Sequence, residues 1–268
     1  VSVKEGEVVS VDLSGDQVSG ARLRSGESIK TKSLIITSGT FLSGVIHIGE
    51  RKVLAGRMGE ERAEGLTESL SALGFRSGRL KTGTPPRLDN NTINWEKAKK
   101  EYGDKEPTPF SYFTKTFEPK NVLCHLVNTN SLTHEIISEN KTRSPMFSGD
   151  IGGVGPRYCP SIEDKVHKFS DRDSHGLFLE PEWENSDQIY LNGFSTSLPE
   201  EIQLKALRQI PALENVKFFR PGYAIEYDFF PPSQLKNTLE SKEVAGLFFA
   251  GQMNGTSGYE EAAAQGLI

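Results

Sequence analysis

The chain has 268 residues, 31 lysines and arginines against 36 aspartates and glutamates, a formal charge of −5 and 35% hydrophobic residues. That length carries one large or two small domains with a real core. Mean hydropathy is −0.45 and no apolar run nears the roughly 20 residues a bilayer crossing needs, which excludes a membrane-spanning helix and leaves no membrane partner to expect. The acidic balance gives no overall attraction to nucleic acid, so such contact has to come from a local basic patch, and the composition favours an enzyme.

Residues 6 to 40 alternate apolar and polar positions in three runs, 7–13, 18–24 and 28–32, separated by Ser14, Gly15 and Asp16 and by Ser25 and Gly26. This pattern predicts a β-meander. The continuous apolar run 33–37 predicts a strand buried on both faces, followed at Ser38, Gly39 and Thr40 by a turn where backbone can approach a ligand. Ala63, Leu66, Leu70 and Leu73 recur every three or four residues, predicting an amphipathic helix from Glu60 to Leu73 that Gly74 ends. Residues 84 to 121 read as a loop-rich insertion with one short helix near Trp95 to Tyr102. Its aromatics Phe110, Tyr112 and Phe113 are expected to form a small local core in preference to a base-stacking platform. Further helices are expected at 133–140, 161–169, 200–209 and 233–240. A buried strand at 246–250 then leads through a glycine-rich turn, 251–258, into a closing helix.

Residues 1 to 11 lack the plan of a secretory leader and the closing helix stops without a cap, so a fragment is expected at both ends. Cys124 and Cys159 form no C-x-x-C pair and cannot make a Cys-only metal site, which fits a reducing compartment. Cys124, in a strand-like run, is assigned to the core. His47, His125, His134, His167 and His175 show no H-x-x-x-H spacing, so no metal site is expected. Glu180, Glu182 and Glu184 read as a solvated alternating strand edge, and Glu260 and Glu261 as first-turn charges that suit a helix dipole.

Three stretches carry chemistry. The strand, glycine-rich turn and helix at 246–268 end in a helix N-terminus that favours anions. Alone it reads as an ordinary βα turn; with the meander and the 33–37 strand, a flavin site moves ahead. No G-x-G-x-x-G turn follows a buried strand, since Gly152, Gly153 and Gly155 have the wrong spacing, so the adenosine end of such a site is expected to lie before residue 1. The run 76–87 holds Arg76, Arg79, Lys81 and Arg87 and no acid; it is either a phosphate holder or a solvated basic loop. The run 152–165 places Cys159 two residues after Arg157 and just before a helix start at Ser161. This position favours thiolate character, although a buried small hydrophobe is as good a description of Cys159.

The runs 39–42, 78–87, 155–165, 220–228 and 251–266, in collinear order, closely resemble the MnmG (GidA) family over essentially the whole chain. The resemblance implies an α/β fold, a glutathione-reductase-like FAD-binding domain (Rossmann-like sheet plus β-meander) interrupted by an α+β insertion. Residues 1–80 would be part of the FAD-binding domain, 81–220 the insertion with an NAD-binding stretch, and 221–268 the return to the FAD-binding domain. The chain would be the middle portion of a longer FAD- and NADH-dependent subunit. That subunit installs a (carboxymethyl)aminomethyl group at carbon 5 of the wobble uridine of tRNA, with methylenetetrahydrofolate as carbon donor and glycine or ammonium as amine donor.

The implied partners are tRNA, an MnmE-type GTPase and a second copy, as a homodimer within a heterotetramer. The compartment is the cytoplasm, or the mitochondrion for an organellar homologue. By the same resemblance Val8 and Gln252 contact FAD, and a further FAD position that is usually Ser falls on Ala63, losing a hydroxyl. NAD binding is implied for Gly155, Pro156, Arg157, Tyr158, Cys159, Pro160, Ser161, Ile162, Glu163, Asp164, Lys165, Val166, His167, Lys168 and Phe169. Cys159 matches one of the family's two proposed catalytic cysteines. Charge singles out Arg157 and Lys165 for dinucleotide phosphates. Two other readings stand beside this one: a folate- and FAD-dependent tRNA uracil-5-methyltransferase, and a non-catalytic tRNA-binding scaffold.

Overall fold

The computed structural model describes the chain except residues 1, 121, 150, 154 and 156–159. In chain order its strands and helices are β1 (Val8–Ser14), β2 (Gln17–Leu23), β3 (Ser28–Lys30), β4 (Leu34–Ile36), β5 (Val45–Ile48), β6 (Arg51–Leu54) and α1 (Leu66–Ala72). Next come β7 (Gly78–Thr84), β8 (Arg87–Asp89), β9 (Lys99–Glu101), β10 (Cys124–Asn128), α2 (Ser131–Glu139), α3 (Pro145–Ser148) and α4 (Ile162–Lys168). The chain closes with β11 (Gly176–Pro181), β12 (Gln188–Asn192), α5 (Glu200–Leu207), β13 (Phe218–Arg220), β14 (Tyr223–Phe229), β15 (Leu247–Phe249) and α6 (Tyr259–Leu267).

The strands sort into four sheets among the described residues. β1, β2 and β3 form the expected antiparallel meander. β4 pairs in parallel with β15, which lies more than two hundred residues away (Leu34 opposite Leu247). β7 and β14 pair along their whole length, from Tyr223 opposite Thr84 to Phe229 opposite Gly78, in a sheet ordered β6-β5-β14-β7. Between them in sequence, β8 to β13 build their own antiparallel sheet, ordered β13-β8-β12-β11-β10-β9.

Alternation decides what each strand buries. On β11, Leu177 and Leu179 are fully buried while Phe178 between them is 41% exposed. The inward row joins Val127, Ile189 and Leu191, and is closed by Ile137 of α2, Ile162 and Val166 of α4, and Ala206 and Leu207 of α5. A second core gathers the meander, α1 and β15 around Phe75, Phe230 and Phe249, whose ring centroids lie 5.3 to 6.4 Å apart.

Several elements differ from expectation. α1 starts at Leu66, not Glu60, because the backbone of Ala63 is committed to Phe41 and Ser43. Gly65 then turns the chain at φ 96°, and Glu68 caps its N–H. Trp95–Lys97 is a single 3₁₀ turn followed by β9, which pairs with β10 where helix was expected to Tyr102. The expected helix at 233–240 reduces to a 3₁₀ turn, Pro232–Gln234, since Leu239 takes φ 65° and Lys236 bonds to the carbonyl of Glu240 to reverse the chain. β4 is buried on one face only: in its two-stranded sheet Ile35 is 62% exposed. Phe110, Tyr112 and Phe113 form no local core, standing 107%, 104% and 93% exposed on a loop that no element covers. Cys124 is half-buried, with burial pushing its thiol up, helped by Glu180. Among the described residues no helix is long and apolar enough to cross a membrane, and no His, Cys, Asp and Glu group could hold a metal ion.

Candidate functional site

The parallel pairing of β4 with β15 brings two glycine turns together. The chain leaves β4 through Thr37, Ser38 and Gly39 and leaves β15 through Gly251 and Gln252; a Cβ on Gly39 would stand 3.7 Å from Gln252 Oε1. Two clefts open here and share Thr37. One, of about 440 Å³, is lined by Val8, Ser38, Phe41, Ala63 and Leu66 among others. The other, of about 250 Å³, is lined by Gln252, Gly258, Tyr259 and Ala262 at the start of α6. Val8 and Gln252, far apart in sequence, thus stand on neighbouring cavities, with Ala63 in the same cleft as Val8. Ser38 Oγ is buried and has no hydrogen-bond partner, an unmet capacity beside that cleft. Gln265 Oε1 accepts from Gly251 N at 2.9 Å and Glu261 from Gly258 N at 3.1 Å, so α6 itself fixes the turn.

The second candidate region is the glycine-rich loop and α4. Pro156, Arg157, Tyr158 and Cys159 lie outside the described residues. Gly155 and Pro160 are exposed. Ser161 caps α4, accepting from Asp164 N at 3.1 Å. Ile162 and Val166 are core, and Asp164 pairs with Lys168. Lys165 Nζ donates to the carbonyl of Gly193 at 2.9 Å. His167 packs edge-on against Phe147, and Phe169 is 44% exposed beneath the Arg172 guanidinium.

Glu163 is 1% exposed. Its Oε1 accepts from Ser144 Oγ at 2.7 Å, Thr196 Oγ1 at 2.8 Å and Ser197 N at 3.2 Å, while Oε2 is buried without a partner. Burial pushes its carboxyl pKa up against those hydrogen bonds. Ser197 Oγ also accepts from Met146 N, so one carboxyl ties α3, which precedes the glycine-rich loop, to α4, which follows it. Sequence reasoning placed Glu163 in a cofactor-binding run and missed this junction, whose serines and threonine carry no local pattern.

The basic run 76–87 meets acids from distant segments. Arg79 Nη1 donates to Asp228 at 2.7 Å and to the carbonyl of Ser43 at 3.1 Å, and Nε reaches Glu226 at 3.3 Å. Burial lowers the Arg79 pKa, but Asp228 and Glu226 outweigh it and the net shift is upward. Glu226 also faces His47 Nε2 at 3.3 Å; burial holds His47 below its ordinary pKa despite that carboxylate. Arg87 pairs with Glu182 at 3.0 Å and lies over the Tyr190 ring, so Glu182 is not the solvated edge residue expected.

Lys81 Nζ donates to the carbonyl of Met146 at 3.1 Å. A Cβ on Gly153 would stand only 2.9 Å from the Leu80 carbonyl carbon, so the glycine-rich loop packs directly on β7. The i, i+2 spacing of Arg79 with Lys81 and of Glu226 with Asp228 was the available signal for this charged sheet face.

The family model of glucose-inhibited division protein A matches residues 1–268. The chain belongs to this family. It is 54% identical over its full length to the tRNA uridine 5-carboxymethylaminomethyl modification enzyme MnmG of Chlorobium phaeobacteroides, covering 44% of that protein. It is 53% identical to the MnmG of Christiangramia forsetii, with 97% of this chain and 42% of that protein covered. The solved structure of Aquifex aeolicus GidA superposes with a TM-score of 0.90 at 49% identity, over 98% of this chain and 45% of that one. The chain thus spans less than half the length of the relatives it matches, and the expected α/β fold, a Rossmann-like FAD-binding sheet with an insertion, is the GidA fold.

Proposed function

We propose that this chain is the FAD-holding middle part of an enzyme that modifies carbon 5 of the tRNA wobble uridine with a (carboxymethyl)aminomethyl group. The observation that carries the reading is the convergence of Val8, Ala63 and the unpartnered Ser38 hydroxyl with Gln252, Gly39 and the start of α6 on clefts that share Thr37. A flavin dinucleotide fits this donor set. Ser38 Oγ offers an unmet hydrogen bond, Gly39 and Gly251 let backbone come close, and the α6 N-terminus favours negative charge. Val8 and Gln252 would hold it, with Ala63 giving van der Waals contact only. FAD bound there supplies two-electron redox chemistry, with NADH as reductant and methylenetetrahydrofolate as carbon donor.

The same reading divides the chain into 1–80 and 221–268 as parts of the FAD-binding domain and 81–220 as the insertion. Gly155 to Phe169 is its nicotinamide dinucleotide stretch. Since Ser161, Ile162, Glu163 and Val166 are buried, contact with a dinucleotide falls to the loop before α4 and to the exposed side of that helix. Cys159 is assigned to activating the uracil ring or moving a proton there, in an assembly with a GTPase partner and a second copy in the cytoplasm or an organelle.

The test is made on the full-length protein. Wild type is expected to carry a flavin absorbance band that NADH bleaches and to modify tRNA. Gln252→Ala is expected to lose flavin, and Cys159→Ser to keep flavin and bleaching while losing modification. Absence of flavin from the wild type would overturn the proposal, and full modification by Cys159→Ser would overturn the role of that residue.

A further inference from the structure

Between Glu101 at the end of β9 and Cys124 at the start of β10 the chain leaves the sheet edge. Phe110, Tyr112 and Phe113 there are 107%, 104% and 93% exposed, Tyr102 is 71% and Phe117 40%. From Tyr102 to Lys120 there is no Leu, Ile, Val or Met: the large apolar side chains are all aromatic. Ser111 shapes the tip, its hydroxyl accepting from Phe113 N and its carbonyl from Thr114 N, both at 3.2 Å. Pro107, Pro109 and Pro119 stiffen the flanks.

Such rings suit one kind of occupant best. A protein helix or strand seeks a continuous apolar face with aliphatic side chains to interdigitate, whereas these rings alternate with Ser111, Thr114 and Lys115. Unpaired nucleobases are flat π-faces that stack on isolated aromatic rings with little regard to sequence. Lys105, Lys115 and Lys120 stand in the same loop, balanced by Asp104, Glu106 and Glu118, so ring stacking and not charge has to supply the affinity. Lys120 is tied only to Glu184, in a surface pair 2.9 Å long.

We propose that the 102–120 loop is a stacking platform for unpaired bases of the RNA substrate. The proposal rests on the reading of the chain as part of a tRNA-modifying enzyme and deepens it by naming where single-stranded bases are held.

The experiment compares full-length wild type with the triple variant Phe110→Ala, Tyr112→Ala, Phe113→Ala. The probes are an RNA hairpin carrying 2-aminopurine in its unpaired loop and a blunt RNA duplex. The triple variant is expected to bind the hairpin at least about tenfold more weakly and to lose the fluorescence change of 2-aminopurine. Duplex binding and flavin absorbance are expected to stay unchanged. The loss should be the same at low and high salt, because no phosphate contact is removed. Replacing the three rings by Trp should keep hairpin affinity, while replacing them by Leu should not; these variants separate stacking from a folding defect.

Equal hairpin binding by wild type and the triple Ala variant would overturn the platform and leave the enzyme reading intact. So would full affinity in the Leu variant, or a fall in sedimenting mass on substitution, which would assign the rings to a protein contact. Failure of wild type to bind any RNA would overturn both.

Discussion

Glu163 concentrates more structural consequence than any other single side chain in the insertion. Truncation in Glu163→Ala leaves Ser144, Thr196 and the Ser197 N–H without their acceptor, and two of those side chains are wholly buried. A loss of about 2–4 kcal/mol is expected by denaturant titration, with Glu163→Gln, which keeps an oxygen for the same donors, losing less. The sign of the pH effect follows from the raised carboxyl pKa. The folded state binds the proton more tightly than the unfolded state, so this contribution is full below the ordinary value of 4.5 and is lost as pH rises through the elevated folded value. Glu163→Gln is expected to flatten that slope. His47, held low by burial, acts in the opposite direction: its contribution is present above 6.5 and is lost as pH falls. Arg79→Ala would strand Glu226 and Asp228 beside each other without their cation. Allowing for the partial exposure of the guanidinium, about 2–3 kcal/mol of destabilisation is expected, measurable as a lower thermal midpoint.

Among the elements, β7 does the most to organise the candidate site. One face packs Leu80 against Tyr223, Ile225 and Tyr227; the other presents Arg79 and Lys81, and Gly153 rests on its backbone. Gly153→Ala inserts a methyl 2.9 Å from Leu80 C and 3.2 Å from Lys81 N, atoms of a paired strand that cannot give way. Overpacking of this kind costs on the order of 1–3 kcal/mol, and the loop that leads to Cys159 has to lift from β7. The expected outcome is a larger fall in tRNA modification than in thermal stability, with flavin content unchanged. Equal falls in both would mean that the contact serves stability alone.

At the scale of the whole molecule, long-range strand pairs hold together segments that local contacts would not. β4 needs β15, β7 needs β14, and β9 and β10 pair across the exposed aromatic loop. Brief chymotrypsin treatment of the full-length protein is therefore expected to cut first at Phe110, Tyr112 or Phe113, whose backbone lies outside any strand or helix. The two fragments should separate under denaturing electrophoresis and still elute together under native conditions. Fragments that part without denaturant would show that the antiparallel β9–β10 pair and the sheets behind it are weaker than their hydrogen bonding implies.

The sequence alone determined the meander, the positions of α2, α4, α5, β15 and α6, and the family resemblance. Those elements rest on short-range rules, alternation, helical spacing and caps such as Asn130 and Ser161, whose side chains accept from Thr133 N and Asp164 N. What it could not supply was the fate of groups whose partners are remote. Ala63 was drawn out of a helix by Phe41 and Ser43, and the basic run 76–87 met acids at 182, 226 and 228. Glu163 was turned inward by hydroxyls at 144 and 196, and the aromatics at 110–113 found no neighbours at all. Local patterns report the faces of an element, because backbone periodicity sets them; which charges are satisfied and which rings stay in water depends on chain segments that only the tertiary fold brings within a few ångströms.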